Sequence, residues 1–498
     1  MKRLLSVILA IILLLSAFSA FADNAESMAS EEPPEGFGGG MPSGDLPVES
    51  PEGFGGSNPP EPPEGFGGGA PPGNPPSGGG GFGGGTPPGA QSADIIYVAA
   101  TEINGDTTVK TQIGETYTSG TSDENALLVT QASITLENPT VFKTGDSDGG
   151  DSCNFYGLNA AVLIKDGADV VITGGTVESS ASGANGVFVY GGNGGKNGAA
   201  GDGTTLHISD TVITTTGDGS GGLMTTGGGA TYAENLTVTT SGQSSAPIRT
   251  DRGGGTVYVD GGIYASNGLG SPVIYSTAEI AVKNAVLVSG LSEGVCIEGM
   301  NSVVLENCDL TADNTRCNSN ATFLDTIMIY QSMSGDADSG TSSFTMTGGS
   351  LTSLSGHMFH VTNTRAVITL SGVELVNKGS DVLLSVCDDG WSGASNVAEL
   401  IADAQSLSGT ILVGDNSALT LTLKNGSAFE GCVSGEIENA KGVQVSAETG
   451  TVSVSLDETS TWTLTADTYV TSFSGSASNV IGNGYTLYVN GTALAGTD

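Results

Sequence analysis

The chain has 498 residues, with 53 acidic and 14 basic side chains and a formal net charge of −39 at pH 7. So large a negative excess opposes binding to nucleic acid and to anionic membrane surfaces. The six cysteines include no Cys-x-x-Cys pair, so a zinc site is not expected. The composition fits a soluble extracellular protein.

Residues 1–22 have the pattern of a secretory signal peptide. Lys2 and Arg3 precede an apolar run that ends in Ala20-Phe21-Ala22, a small-residue cleavage site. The alternative is a membrane anchor, for which the run is short. Without this segment 12 bases remain against 53 acids, a net charge of −41. We expect an exported protein with no transmembrane segment after signal removal, either released or held non-covalently at the cell wall.

Residues 23–91 form a low-complexity segment without Lys or Arg. PPEGFGGG occurs at 33 and 62, SPEGFGGS at 50 and GGGGFGGG at 78. Such Pro/Gly-rich sequence has too little apolar surface to offset the entropy of ordering, which predicts a disordered spacer. Its four regularly spaced phenylalanines leave open a second interpretation, in which they dock to a cell-wall polymer or a partner.

A short repeat fills residues 170–389 and predicts the fold. Each copy is a strand-like alternation, a Gly, Asn or Asp turn and another apolar stretch, as in VVITGGTVESS or VYVDGGIYASN. Turn residues recur at spacings of 36, 25, 26, 23, 23, 41 and 24: Gly174, Asp210, Asn235, Gly261, Asn284, Asn307, Gly348 and Gly372. Two or three short strands per unit at this period predict an all-β right-handed parallel β-helix over 92–498. Asn235, Asn284 and Asn307 suggest an asparagine ladder at this turn.

The ends of the solenoid are expected to differ from its middle. Residues 93–130 read as three short strands and are predicted to be the N-terminal cap or first coil, because an open solenoid end exposes unpaired backbone groups. From about residue 390 the coils become less regular. The stretch at 396–405, NVAELIADAQ, has the spacing of one or two helical turns.

In this frame the chain resembles secreted bacterial parallel β-helix proteins with the pectin-lyase-like fold. The motifs ITGGTV, VDGGIY and MTGGSL, the signal peptide and the Pro/Gly spacer carry the resemblance, which covers roughly 95–490. It implies an adhesin-like or carbohydrate-binding protein, although the same fold also supports lyases and hydrolases. The paired acids, Gly-His-Gly and Arg-x-Lys of the hydrolase-like members are not found in this sequence.

The densest polar cluster of the repeat is IRTDRGGG at 248–255. We align Asp251 with Ser276 and Glu298 on the following coils, with Asn301 just beyond. One interpretation is a charge-satisfied surface ladder in which Arg249 and Arg252 offset neighbouring acids. The other is a pocket in which the arginines hold a sugar carboxylate or hydroxyls. Its candidate residues, for ligand binding and more weakly for catalysis, include Arg249, Asp251, Arg252 and Glu298.

Aromatic residues form a second set of candidates. The alignment places Val273 inward and Tyr275 in the next inward row, and it gives the same strands an outward apolar stripe with Phe188, Tyr190 and Tyr330. Such a stripe is either covered by a loop, for example 191–203, or offered to a partner. Trp391, in a loop beside Asp388 and Asp389, either stacks on a sugar or anchors its loop.

The sequence also offers candidates for a metal site and for a disulfide. Asp146, Asp148 and Asp151 have the spacing D-x-D-x-x-D, which makes Ca²⁺ conceivable, although no twelve-residue calcium loop is present. Cys308 and Cys317 flank one insertion and are candidates for a disulfide, which export permits. Cys296 and Cys387 lie in strand-like pieces and are expected to be buried or half-buried thiols.

The sequence therefore favours a secreted or surface-associated β-helix that binds polysaccharide or glycoconjugate through outward-facing rows. The alternatives are a polysaccharide lyase or related carbohydrate-active enzyme, and a structural envelope or matrix protein attached by its spacer.

Overall fold

A computed structural model describes residues 95–193 and 200–494. The predicted signal peptide and spacer lie outside these residues. The described chain is almost entirely β, with one six-residue helix, Asp151–Tyr156, and a 3₁₀ turn at Ala477–Asn479. No helix in the described ranges is long and apolar enough to cross a membrane.

Three long parallel sheets form the solenoid, and up to Asn377 each coil of the chain adds one strand to each sheet in turn. Strands of successive coils pair in parallel. Sheet A has 15 strands: Val98–Ile103, Glu124–Thr130, Val162–Lys165, Val187–Tyr190, Leu223–Thr226, Ile248–Thr250, Ile274–Ser276, Val295–Glu298, Asp325–Tyr330, His357–Thr362, Val382–Val386, Ser406–Val413, Ala428–Ser434, Thr461–Leu464 and Val480–Ile481.

Sheet B follows sheet A in each coil and has 14 strands: Thr111–Ile113, Ser133–Glu137, Asp169–Thr173, Thr205–Ser209, Gly229–Glu234, Gly255–Asp260, Glu279–Lys283, Ser302–Glu306, Thr341–Thr347, Arg365–Ser371, Asn396–Asp403, Ser417–Lys424, Thr451–Leu456 and Ser472–Ser474. Sheet C has ten: Thr116–Ser119, Thr140–Lys143, Thr176–Ser179, Val212–Thr215, Thr237–Thr240, Ile263–Ser266, Val286–Ser289, Asp309–Ala312, Ser350–Ser353 and Glu374–Asn377. Two small sheets join Ile437–Glu438 to Gln444–Ser446, and Thr468–Val470 to Leu487–Val489 and Thr492–Ala493. The prediction of an all-β parallel β-helix is confirmed.

The corner between sheets B and C explains the repeat. All eight turn residues identified in the sequence have positive φ, for example 53° at Asn235 and 73° at Gly261. This left-handed conformation favours Gly, Asn and Asp, which is why the motif uses these residue types. The asparagines do not form a ladder of the predicted kind at Asn284, whose amide donates to the Asp260 carboxylate at 2.8 Å.

Inward side chains stack into one continuous apolar core. In sheet A, Val187, Leu223, Ile248, Ile274, Val295 and Ile327 stand above one another in register. Among these six positions the predicted row was wrong at one, since Ile274 replaces Val273 and Tyr275 therefore points outward. Adjacent apolar residues at 273–275 make the register ambiguous in sequence, and a slip of one residue exchanges the two faces.

Two further predictions were wrong. Residues 396–403 form a strand of sheet B, with Asn396, Ala398, Leu400 and Ala402 buried on its inner face. The burial of every second side chain in a strand therefore outweighs the preference of Ala, Glu and Leu for helix. Cys308 and Cys317 are unpaired, like the other four cysteines, because Cys308 lies in the solenoid core and Cys317 packs outside sheet A. Cys296 and Cys387 are buried thiols, as predicted.

The two ends depart from the regular coil. Residues 95–119 hold the first strand of each sheet, and Glu124–Thr130 is already the second strand of sheet A. Sheet C ends at Asn377, after which the chain passes from sheet B directly into long strands of sheet A. The less regular part of the sequence thus coincides with a change from three sheets to two.

Candidate functional site

The outer face of sheet A is covered by connecting segments. The helix Asp151–Tyr156 brings Phe155 and Tyr156 over Phe188, Tyr190 and Met224, and all five side chains are buried. Tyr156 meets Tyr190 edge-to-face, with ring centroids 5.5 Å apart. The outward apolar stripe is therefore packed against its own chain here, and Tyr190 is not presented to a ligand.

Further along sheet A, loops cover the next outward residues. Trp391 packs on Tyr330 at 4.9 Å between ring centroids, and both lie in a buried cluster with Tyr275, Cys296 and Met328. Trp391 thus anchors its loop to the sheet. Because aromatic rings bury large apolar areas, this cover removes Trp391 and Tyr330 from the solvent-facing surface.

The polar residues predicted from IRTDRGGG form two ion pairs under this cover. Arg249 Nη2 lies 2.7 Å from Asp251 Oδ2, with both side chains at least nine-tenths buried. Arg252 pairs with Asp336 at 2.5 Å, and its guanidinium lies 4.2 Å from the centre of the Phe155 ring. Burial raises the pKa of Asp251 to about 6, although Arg249 opposes the shift. The two arginines are thus occupied by acids of their own chain.

Glu298 forms a separate centre of hydroxyl groups. Its carboxylate accepts hydrogen bonds from Tyr275 Oη at 2.6 Å, from Tyr330 Oη at 3.2 Å and from Ser332 Oγ. Burial raises the pKa of Glu298, and the hydrogen bonds from Ser332 and Tyr275 oppose that shift. Segment 331–340 supplies Ser332, Ser334 and Asp336, and so seals both centres. Glu298 is only 2% exposed.

Two predicted neighbours of Glu298 have structural roles instead. Ser276 points inward, and its hydroxyl donates to the carbonyls of Ala278 and Ser302. Ser276 pairs with Ile297, so the coil position beside Glu298 belongs to Thr277. The Asn301 side-chain amide donates to the backbone carbonyl of Glu298 and closes the turn after that strand. The structure thus buries Arg249, Asp251 and Glu298 under the cover of sheet A, whereas Arg252 is half-buried.

A second buried constellation was not predicted from the sequence. His360 Nδ1 lies 2.8 Å from Ser385 Oγ, and its Nε2 lies 3.4 Å from Asp389 Oδ2. Phe323 stacks on the His360 ring at 4.7 Å. Although a serine, a histidine and an aspartate are aligned, the His360 and Asp389 side chains are fully buried, so no substrate reaches them in this conformation.

The predicted calcium residues are spread over different contacts. Asp146 accepts a hydrogen bond from the backbone N–H of Ser182, and Asp151 lies in the first turn of the short helix. Within 95–193 and 200–494, no three His, Cys, Asp or Glu residues are grouped so that they would hold a metal ion.

The solvent-facing candidate lies on the outer face of sheet B. His207, Tyr232 and Tyr258 occupy the same outward position in three successive strands. Their rings are stacked, with centroids 4.7 Å apart for His207 and Tyr232 and 5.4 Å apart for Tyr232 and Tyr258. The row continues with Val171 before His207, and with Ala281 and Val304 after Tyr258. We call this row the sheet B groove; its free volume is about 430 Å³.

Charged residues flank the groove on the side of the B–C corner. Glu234, Asp260, Lys283 and Glu306 occupy one row, each immediately before a turn residue. Lys283 Nζ lies 3.1 Å from Asp260 Oδ2. Hydrogen bonds from Asn284 and Lys283 lower the pKa of Asp260, so this carboxylate stays ionised well into acidic solution. The flank therefore offers three carboxylates and one ammonium group.

A simple signal in the sequence marks this aromatic row. His207, Tyr232 and Tyr258 each stand three positions before a turn residue, namely Asp210, Asn235 and Gly261. Because equivalent positions of a solenoid stack, a fixed offset from the turn predicts a column of side chains. This aromatic row was not predicted from the sequence, because the candidate residues chosen there lie in the strands of sheet A and in their connecting loops.

No family model matches this chain, and no curated protein and no solved structure matches it either. The resemblance to pectin-lyase-like proteins therefore rests on the architecture of stacked parallel sheets and not on a shown relationship.

Proposed function

We propose that the protein is an exported carbohydrate-binding β-helix and that the sheet B groove is its binding site. The observation that carries this proposal is the stacked aromatic row, in which Tyr232 and Tyr258 are 40% and 44% exposed. Exposed aromatic columns are an unusual use of surface, and flat apolar faces beside polar groups suit the C–H faces and hydroxyls of sugar rings.

The proposed contact is a slot at the end of the stack. Ala281 stands opposite Tyr258 on the next strand, so the ring column stops there and resumes as an aliphatic side chain at Val304. Two strand spacings separate the Tyr258 and Val304 positions, or about 10 Å. A ring in contact on both faces needs about 7–8 Å, so one sugar ring fits between them above the Ala281 methyl group.

The charges of the flank favour a neutral polysaccharide. Glu234, Asp260 and Glu306 outnumber Lys283, so an acidic sugar would be repelled, whereas carboxylates accept hydrogen bonds from sugar hydroxyls. The negative net charge of the chain also disfavours an acidic polysaccharide. The signal peptide predicted for residues 1–22 supports a site of action outside the cell.

A polysaccharide lyase that uses the Arg249–Glu298 residues is less well supported. Such a reaction requires the substrate to reach Glu298, which is sealed by segment 331–340. The structural envelope alternative rests on residues 23–91 and lies outside the described chain.

Affinity electrophoresis in gels that contain neutral or acidic polysaccharides tests the proposal, followed by calorimetry with oligosaccharides of the retarding polymer. We expect retardation by at least one neutral polymer and a loss of about 5–30-fold in affinity for Tyr258→Ala, which corresponds to about 1–2 kcal/mol. Tyr258→Phe should bind like the wild type because it keeps the ring.

Tyr469→Ala is the matched control. Tyr469 is also an exposed stacked tyrosine, 4.7 Å from Tyr488 between ring centroids, but it belongs to a small C-terminal sheet. Equal binding by wild type and Tyr258→Ala, or equal losses for Tyr258→Ala and Tyr469→Ala, would overturn the assignment. Retardation by acidic polymers alone would contradict the proposed ligand class.

A further inference from the structure

Sheet C stops while its neighbours continue. Its last strand is Glu374–Asn377, but sheets A and B add further strands beyond it. Ala404, with φ of 50°, occupies the corner position held by Gly372 one coil earlier. The chain then enters Ser406–Val413, bends at Gly409, where φ is 118°, and joins sheet A beside Val382–Val386. The place of an eleventh sheet C strand therefore stays open.

Burial along one row shows that this place is vacant. Leu287, Leu310, Leu351 and Leu375 occupy the same inward position in successive sheet C strands. The first three are 0% exposed, whereas Leu375 is only partly buried. Each leucine is normally covered by the strand that follows, so Leu375 lacks that cover.

Leu375 opens onto a groove, which we call the sheet C edge groove. Its walls are the strand Glu374–Asn377 and the diverging residues 406–409, and its floor includes Met358, Leu407 and Phe429. The free volume is about 860 Å³. An apolar floor beside a strand edge is the arrangement that an added strand covers.

The backbone of this edge is oriented for further pairing. Glu374 N–H donates to Gly349 O at 2.9 Å, and Lys378 N–H donates to Ser353 O at 2.8 Å, so these residues face the preceding strand. In a parallel sheet alternate residues face opposite neighbours. The N–H and C=O groups of Val373, Leu375 and Asn377 therefore point toward the groove.

The side chain of Gln405 shows what this edge binds. Its Oε1 accepts from Val373 N–H at 2.7 Å and its Nε2 donates to Val373 O at 2.8 Å. One side-chain amide thus takes the place of a peptide group at the first position of the edge. Gln405 reaches no further along the strand, and the next peptide group that faces the groove is that of Leu375.

We propose that this edge binds an extended polypeptide segment as a parallel eleventh strand of sheet C. The existing strands define the side chains that fit. The second residue should be apolar to cover Leu375, and the fourth should carry a hydroxyl, as in Val212–Thr215 and Thr237–Thr240. The first residue should be basic, because it stands opposite Glu374, and the exposed acids Asp381 and Glu430 also line the groove.

The probe is the capped peptide Gly-Lys-Val-Thr-Thr-Lys-Gly. Its affinity for the full chain is measured by isothermal titration calorimetry. The first Thr of the peptide would donate its N–H to Leu375 O, whereas the Val N–H would point away from the edge. We expect N-methylation of that Thr to weaken binding at least tenfold and N-methylation of Val to change it by less than about threefold. The two methylated peptides have the same composition and differ only in the hydrogen bond removed.

Protein variants provide a second readout. Glu374→Lys should weaken binding of the basic peptide about fivefold or more, whereas Glu178→Lys, at an exposed outward position of an interior sheet C strand, should leave it unchanged. Absence of binding by the unmodified peptide at 1 mM, or equal losses from the two methylated peptides, would overturn the proposal. Circular dichroism of each variant verifies that the fold is intact.

Discussion

Tyr258 and Ala281 stand directly opposite each other on adjacent strands of sheet B, and the aromatic column of the sheet B groove ends between them. The outer face of the Tyr258 ring therefore meets a methyl group instead of another ring. Each ring inside such a column covers the face of its neighbour, so only the two end faces lack a stacked ring. The His207 end meets Val171, whereas the Tyr258 end meets the smaller Ala281 and is therefore the more open of the two.

Filling that space should abolish the proposed carbohydrate binding. Ala281→Phe extends the column by one ring, and we expect a gain of about 0.5–1 kcal/mol in unfolding free energy from the new cross-strand pair. Affinity electrophoresis should show loss of retardation, while the urea midpoint moves upward. Thr369→Phe, three strands farther along the same row, is the control and should leave binding unchanged. If Ala281→Phe binds as well as the wild type, the sugar does not occupy the proposed slot between Tyr258 and Val304.

Breaking the buried Arg249–Asp251 pair should be costly. Arg249→Met leaves Asp251 buried without its partner, for which we expect a loss of about 3 kcal/mol at pH 7 in urea denaturation. The loss should shrink toward pH 5, because Asp251, whose pKa is already raised to about 6, then becomes neutral. The double variant Arg249→Met/Asp251→Leu should recover most of the loss. A double variant as unstable as the single one would show that the pair itself is needed.

Glu298 should make the fold less stable as the pH rises. Burial raises its folded-state pKa above the usual 4.5, so the native state holds the proton more firmly than the unfolded state. The stabilisation is complete below pH 4.5 and is lost as the pH passes through the raised pKa. Glu298→Gln stays neutral, so the difference in urea midpoint should grow in its favour from pH 4.5 upward. Glu374→Gln, at an exposed position, controls for the loss of one charge, and parallel curves for wild type and Glu298→Gln would contradict the prediction.

The sequence was sufficient for the architecture because the corner residues carry a local requirement. Gly174, Asp210 and Asn235 are the residue types that accept positive φ, and they mark the coil regardless of what lies around them. Register was harder, because the apolar residues at 273–275 satisfy two alignments equally. At 396–403 the local preference for helix and the stacking of neighbouring coils disagreed, and the stacking prevailed.

The candidate site was less accessible to sequence reasoning, for a physical reason. Whether Tyr330 or Tyr190 faces water depends on Trp391 and Tyr156, which lie 61 and 34 residues away along the chain. The sequence of the strand itself does not show that a distant residue will pack over it. The row of His207, Tyr232 and Tyr258 was different, since its offset from the turn residues is constant and could have been found.

The B–C corner also determines where the chain can change in length. A turn of two residues, the first of them left-handed, joins sheets B and C in the regular coils. An insertion there would displace the stacked strands on either side of the turn. Repeat spacings from 23 to 41 residues are instead absorbed at the other two corners, as in residues 313–324 between sheets C and A. Foreign loops or labels would therefore be best grafted at those two corners. Insertions there leave the stacked strands in place, whereas the B–C corner has a constant length.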